Sequence, residues 1–354
     1  MLWLLLAGRR KESRQADGQP IPHLSFRLST SHAPLMDLAT EKSPQNLADD
    51  SIAVDDEVRD DLYARPFAVE RPKRLTLPFV FSSPHSGRLY PREFVAASQL
   101  DATALRRSED SFVEEIFGEV PDLGAPLIHA RFPRAYLDAN REPYELDPAM
   151  FDGPLPPHVN TRSIRVAGGL GTIARVVSDT AEIYRGPLSY AEAEARIRSL
   201  YMPFHEALRQ HLDEALQHFG CAVLIDCHSM PSVGGPGDDD TGADRPDIVL
   251  GDRYGTSCAR EITMAAERSL TRLGYSVVRN NPYAGGFNTE HYGQPQHGLH
   301  ALQIEINRAL YMDEEKLERG AGLKRLRSDM TRFATDMAQL KLDGLGPRFR
   351  AGPV

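Results

Sequence analysis

Cys221-Ala-Val-Leu-Ile-Asp-Cys-His-Ser229 is the stretch that decides how the rest of the chain is read. From Cys221 to Ile225 it is apolar without alternation, as expected of a strand covered on both faces. Such strands belong to layered α/β folds, in which helices flank a mostly parallel sheet. Asp226 ends the apolar run and His228 follows it. The strand therefore carries polar groups to its carboxyl end, the edge of an open α/β sheet at which ligands bind.

The segments around it fit that layout. Before it, Ser189-Tyr-Ala-Glu192 reads as a capping box opening a long helix. Ile197, Leu200, Tyr201, Phe204, Leu208, Leu212, Leu216 and Phe219 recur along that helix at steps of three and four. Pro203 should kink it, and Gly220 is a left-handed stop. Residues 77–82, 247–250, 275–278 and 301–306 read as strands, with shorter ones at 126–129 and 135–138. Asp110 to Val120 suggests a short amphipathic helix with Val113, Ile116 and Phe117 on one face. Thr256 to Leu273 reads as a helix ended by Gly274, and a last helical region spans Asp313 to about Leu340, weakened near Gly320 and Gly322. Residues 142–180, rich in Pro, Gly and Arg, read as a long functional loop.

The chain has 354 residues, a net charge of −9 and three cysteines. An acidic balance argues against a nucleic-acid or anionic-membrane binder. Three cysteines cannot all pair, and their spacing is not that of a zinc finger, so a reducing cytoplasmic setting is expected. Residues 1–75 read as a leader that is disordered or loosely attached. Met36 offers an alternative start, which would make residues 1–35 an annotation artefact. Residues 76–345 are expected to form one catalytic domain, with 346–354 as a tail.

Three polar groups fall at or near predicted strand ends: His85 in the turn Ser83-Pro-His-Ser-Gly87, His228, and Glu305 within strand 301–306. Leu302, Ile304 and Ile306 share one strand face, and Gln303, Glu305 and Asn307 the other. Two histidines and a carboxylate are the ligand types of a catalytic zinc site, and a second carboxylate is needed as base. Asp110, Glu109, Asp226 and Glu305 are the candidates. Each residue also has a plainer reading. A histidine in a turn is more often a hydrogen-bonding group, Glu305 could pair with Arg308, and Cys227 is better read as a core thiol than as a nucleophile.

Taken in order, Ser83-Pro-His-Ser-Gly87, Asp110-Ser-Phe-Val113, Asp138-Ala-Asn-Arg141, Gly171-Thr-Ile-Ala-Arg175, Asp226-Cys-His-Ser229, Asp247-Ile-Val-Leu-Gly-Asp252, Gly285-Gly-Phe287 and Leu302-Gln-Ile-Glu-Ile-Asn-Arg308 resemble the N-formylglutamate amidohydrolase family. The resemblance covers about residues 75–315. It implies a three-layer αβα fold with a mostly parallel mixed sheet, similar to the zinc carboxypeptidases and aspartoacylases. It also implies hydrolysis of N-formyl-L-glutamate to glutamate and formate. Carried over residue by residue, His85 and His228 become zinc ligands, although another divalent metal would satisfy the same donors. The carboxypeptidase pattern has a Glu three residues after the first His, where this chain has Arg88. Asp110, which opens the Asp-Ser-Phe-Val segment, is taken as the third ligand, with Glu109 as its rival. Glu305 becomes the general base. Arg141, beside Asn140, would stabilise the oxyanion or hold a carboxylate. Arg175 and Arg165 would bind the carboxylates of a small anionic N-acyl amino acid, and the Gly285-Gly286 loop would approach it through its backbone. A broader N-acyl-amino-acid amidohydrolase, a metallo-carboxypeptidase relative and a non-catalytic binding protein on the same fold are the alternatives. The oligomeric state is not legible.

Overall fold

The computed structural model describes residues 56–347, apart from 178–179, 237 and 343. Residues 1–55, with the alternative start at Met36, lie outside that range, as does most of the tail. Seven strands form one sheet: β1 (Phe67–Glu70), β2 (Phe79–Ser83), β3 (Leu127–Ala130), β4 (Ala222–Met230), β5 (Ile248–Gly251), β6 (Val277–Arg279) and β7 (Leu299–Asn307). Their spatial order is β1-β3-β2-β4-β7-β5-β6. Pairing is parallel except at β1–β3 and β5–β7. Both central strands, β4 and β7, are buried at every position, which is why the run at 221–226 shows no alternation.

Two apolar layers cover the sheet. On one face Val80, Ile128 and Leu224 pack with Phe204, Leu208, Leu212 and Ala215 of helix Met202–Phe219. On the other, Phe81, Ile225, Cys227 and Ile304 pack with Ile262 and Leu270 of helix Arg260–Arg272, and with Met330 and Phe333 of helix Leu323–Ala338. The molecule is thus a three-layer αβα sandwich, as expected. Among the described residues, no helix is long and apolar enough to cross a membrane.

Several local expectations are corrected. The proposed leader ended at residue 75, yet Leu62 is fully buried in the core and β1 hydrogen-bonds along β3. Without β1, the outer edge of β3 would present unpaired backbone groups. Residues 135–138 form turns instead of a strand, since Pro133 accepts from the amides of Tyr136 and Leu137. Asp110–Val120 is broken: Phe112 takes a left-handed φ of 67°, Val113–Ile116 forms one helical turn, and Val120 opens a separate one. The helix expected from Thr256 starts at Arg260, because Ser257 bonds to Ala301 of β7 through both its hydroxyl and its carbonyl. The helix expected from Asp313 starts at Leu323, after a small hairpin of β8 (Met312–Asp313) and β9 (Glu318–Arg319).

The long helix before β4 is present from Tyr190, and it widens to a π-turn at Ile197–Tyr201 just ahead of Pro203, whose missing N–H disturbs the α ladder. Half of the capping box is present. The Ser189 hydroxyl accepts from the Glu192 amide, but the Glu192 carboxylate pairs with buried Arg196. Gly220 ends the helix with φ 76°.

Ile225 is fully buried in the layer under helices Arg260–Arg272 and Leu323–Ala338. Ile225→Ala is expected to cost about 2–5 kcal/mol, read as a lower urea midpoint at unchanged slope.

Candidate metal centre

The β4–β7 register builds the site. Asp226 lies opposite Gln303 and His228 opposite Glu305. Side chains alternate along a strand, so these four share the face that carries Leu224 and Ala301 one step earlier. That face is apolar toward the strand beginnings and polar toward their carboxyl ends. His85 follows β2, the neighbour of β4, and its carbonyl accepts from the Asp110 amide, which fixes Asp110 beside it.

His85, Asp110 and His228 converge, with one donor atom from each lying within 4.8 Å of the others, and all three are buried. The Nδ1 atoms of His85 and His228 lie 3.2 and 3.0 Å from Asp110 Oδ2. Their Nε2 atoms face other buried carboxylates, Asp138 at 2.7 Å and Asp226 at 2.9 Å. A neutral imidazole carries only one N–H. With Nε2–H given to Asp138 or Asp226, each Nδ1 lone pair points at a carboxylate oxygen. Three lone-pair donors aimed at one another are stable only around a positive charge. This donor set, with each histidine oriented by an outer carboxylate, fits a divalent metal. Burial opposes a proton on His228, but Asp226 and Asp110 outweigh it and hold the imidazole well above its ordinary range. Burial likewise opposes charge on Asp110, yet hydrogen bonds from His228 and His85 hold it well below the usual carboxylate range.

Glu305 stands next to this centre. Burial, with the Asp110 charge, pushes it up to about 8, while His228, Arg134 and Arg308 pull it down. Gln303 Nε2 donates to its Oε1 at 2.7 Å. The rival ligand Glu109 is turned away, accepting from Tyr90 (2.6 Å), Ser111 (2.8 Å) and Arg106 (3.2 Å). Arg88, at the place where a glutamate was sought, pairs with Glu114 at 3.1 Å instead. Cys227 points into the opposite apolar layer, and burial pushes its thiol well up, as suits a core residue.

The predicted substrate residues divide. Asn140 Nδ2 is 3.2 Å from His228 Nε2, and its Oδ1 accepts from the Asn288 amide. Arg141 is buried and donates to Leu170 O (2.7 Å) and Asn140 O (2.9 Å), with Asp138 at 3.6 Å. Burial draws it down to about 10, against the pull of Asp138. Arg165 is partly exposed, 3.9 Å from Glu145. Arg175 departs from expectation: it is paired with Asp147 (3.0 Å) and Glu182 (2.9 Å), which leave little positive field for a further carboxylate. The Gly286 amide, expected to face substrate, donates to Gln303 at 2.9 Å. A Cβ there would sit 2.4 Å from the Asn140 side chain, so this glycine permits a close approach of loop to site.

Arg134 was missed. Its Nε donates to Asp138 Oδ2 at 3.0 Å. Burial opposes its charge, but Asp138, Asp110 and Glu305 raise it and keep it firmly cationic. Its only sequence signal is its place four residues before Asp138 in the segment that reaches Asn140-Arg141.

A family model described as N-formylglutamate amidohydrolase matches residues 77–312. The chain belongs to the N-formylglutamate amidohydrolase family. An N-formylglutamate deformylase of Pseudomonas aeruginosa is 31% identical over 248 residues, 69% of this chain and 85% of that protein. One from Pseudomonas putida is 29% identical over 67% of this chain and 83% of its own. A crystal structure of N-formylglutamate amidohydrolase from Ralstonia eutropha superposes with TM-score 0.71 at 36% identity, covering 77% of this chain and 97% of that one. An Agrobacterium tumefaciens gene product at 20% identity and TM-score 0.55 shares the fold. Membership in this amidohydrolase family makes the chain a hydrolase of linear amides.

Glu114 tests the electrostatics beside the centre. Burial pushes it up to about 7 despite Arg88, and among the described residues its Oε2 has no hydrogen-bond partner. A raised carboxyl favours the protonated folded state, so its contribution to stability falls as pH rises from about 4.5 to about 7. Between about pH 5 and pH 8, wild type should lose stability relative to Glu114→Gln, measured by urea unfolding at both pH values.

Proposed function

We propose that this chain hydrolyses the formyl amide of N-formyl-L-glutamate, releasing L-glutamate and formate, with zinc held by His85, Asp110 and His228. The observation that carries this reading is the convergence of three buried lone-pair donors beside a carboxyl, Glu305, that is poised to exchange a proton near neutrality. The names of the Pseudomonas relatives support the substrate.

A divalent metal in this site would supply Lewis-acid polarisation of the formyl oxygen and acidify water. The protein's own residues supply the rest. Glu305 takes a proton from the attacking water and returns it to the glutamate nitrogen as the C–N bond breaks. Gln303 holds its Oε1, so Oε2 is the oxygen left for that exchange. Arg134 meets the negative charge that develops on the formyl oxygen, because it is cationic beside the centre and makes one bond to Asp138. Arg141 and Arg165 lie close enough to affect one another and offer guanidinium groups to the carboxylates of a small anionic N-acyl amino acid. Arg175 serves the loop around Asp147. A net-acidic protein can accept such a dianion, since the field at the site is set by these arginines and the metal. The three buried thiols accord with a reducing cytoplasmic location.

Metal analysis of purified protein, followed by formate release from N-formylglutamate against acetyl- and succinyl-amino acids, tests the assignment. Bound zinc and selective formate release are expected. Equal turnover of larger acyl groups would point to a broader amidohydrolase, and absence of metal with no activity after zinc addition would sink the reading. Glu305→Gln should retain metal while turnover drops about 10²–10⁴-fold; undiminished turnover would assign the base elsewhere.

A further inference from the structure

The two oxygens of Asp110 are used differently. Oδ2 faces both histidines. Oδ1 accepts from the Ser229 hydroxyl at 3.2 Å and from Arg308 Nη2 at 3.3 Å. The Arg308 side chain is 7% exposed, and it makes three further hydrogen bonds. Nη2 bonds the Glu109 carbonyl at 2.6 Å, Nη1 the Arg107 carbonyl at 3.1 Å, and Nε the Ser229 hydroxyl at 3.2 Å. One guanidinium thus fixes the backbone leading into Asp110, the outer oxygen of its carboxylate and the end of β4. Ser229 is the residue after His228, and Arg308 directly follows β7, the strand of Glu305. The pair therefore ties the carboxylate ligand to the strands that carry a second ligand and the base.

We propose that Arg308 and Ser229 are positioning residues that make Asp110 a one-oxygen ligand and so select a small four-coordinate ion. The inference rests on reading His85, Asp110 and His228 as a metal centre. A carboxylate with both oxygens free can bind an ion through both, which adds a donor. Zinc is satisfied by four ligands, whereas manganese prefers an oxygen-rich octahedral shell. Holding Oδ1 with two donors withholds the extra oxygen. Lysine cannot replace Arg308 here, because one ammonium cannot reach acceptors arranged around a planar fork.

The test uses Zn²⁺ and Mn²⁺ separately, each competed against a chromophoric chelator, on metal-stripped wild type, Ser229→Ala and Arg308→Lys. Zinc affinity should fall about 10–100-fold in Arg308→Lys and less in Ser229→Ala. In both, manganese affinity should fall less or rise, so that the zinc-to-manganese ratio drops at least about threefold from wild type. A ratio unchanged in both variants, even with both affinities weakened, overturns the proposal, since a merely structural role would weaken both ions alike. If Arg308→Lys does not fold, the ratio for Ser229→Ala alone decides. Wild type that binds neither ion overturns the metal reading itself, whereas wild type that binds both with unmoved ratios in the variants overturns this inference alone.

Discussion

Asp110 Oδ2 sits between two imidazole nitrogens whose partner nitrogens are already committed to Asp138 and Asp226. A buried arrangement of that kind needs positive charge at its middle, because two neutral imidazoles and a carboxylate would otherwise turn lone pairs on one another in a poorly screening interior. Much of the surrounding structure reads as a consequence. Arg134, Arg141 and Arg308 surround the carboxylates, and Asn288 donates to Asp226 at 3.1 Å. These contacts satisfy the carboxylates at the centre, as an interior of low polarity requires.

The sheet register makes that assembly possible. A one-residue slip of β7 against β4 would move Glu305 to the apolar layer with Ile225 and Cys227 of β4 and bring Ile304 and Ile306 to the site. The same two strands therefore carry the core in one direction and the chemistry in the other. At their beginnings Leu224 and Ala301 belong to the apolar layer that includes helix Met202–Phe219, and at their ends His228 and Glu305 meet as direct neighbours. The core and the site share one sheet face and divide it along the strands.

Much of this was legible in the chain. The apolar run before His228, the alternation around Glu305 and the order of the motifs led to the fold and singled out His85, Asp110 and His228, which converge in space. Other features were hidden. Arg134 lies in a turn with no periodicity to flag it. Arg175 looked available because its partners Asp147 and Glu182 are separated from it in sequence by intervening loop. The edge strand Phe67–Glu70 looked like leader, since a four-residue strand carries little pattern and its reason to exist is the open edge of β3.

The sequence by itself determined which segments are buried, which face of a strand is polar and which residue types could hold a metal, because those follow from local periodicity and side-chain chemistry. Only the tertiary structure shows which of Asp110 and Glu109 lies beside the histidines. The two are adjacent and chemically alike, and their roles separate through contacts remote in the chain: Tyr90 and Arg106 draw Glu109 aside, while His85, His228 and Arg308 converge on Asp110. Periodicity assigns a face; which carboxylate meets the histidines depends on where three separate strands end in space.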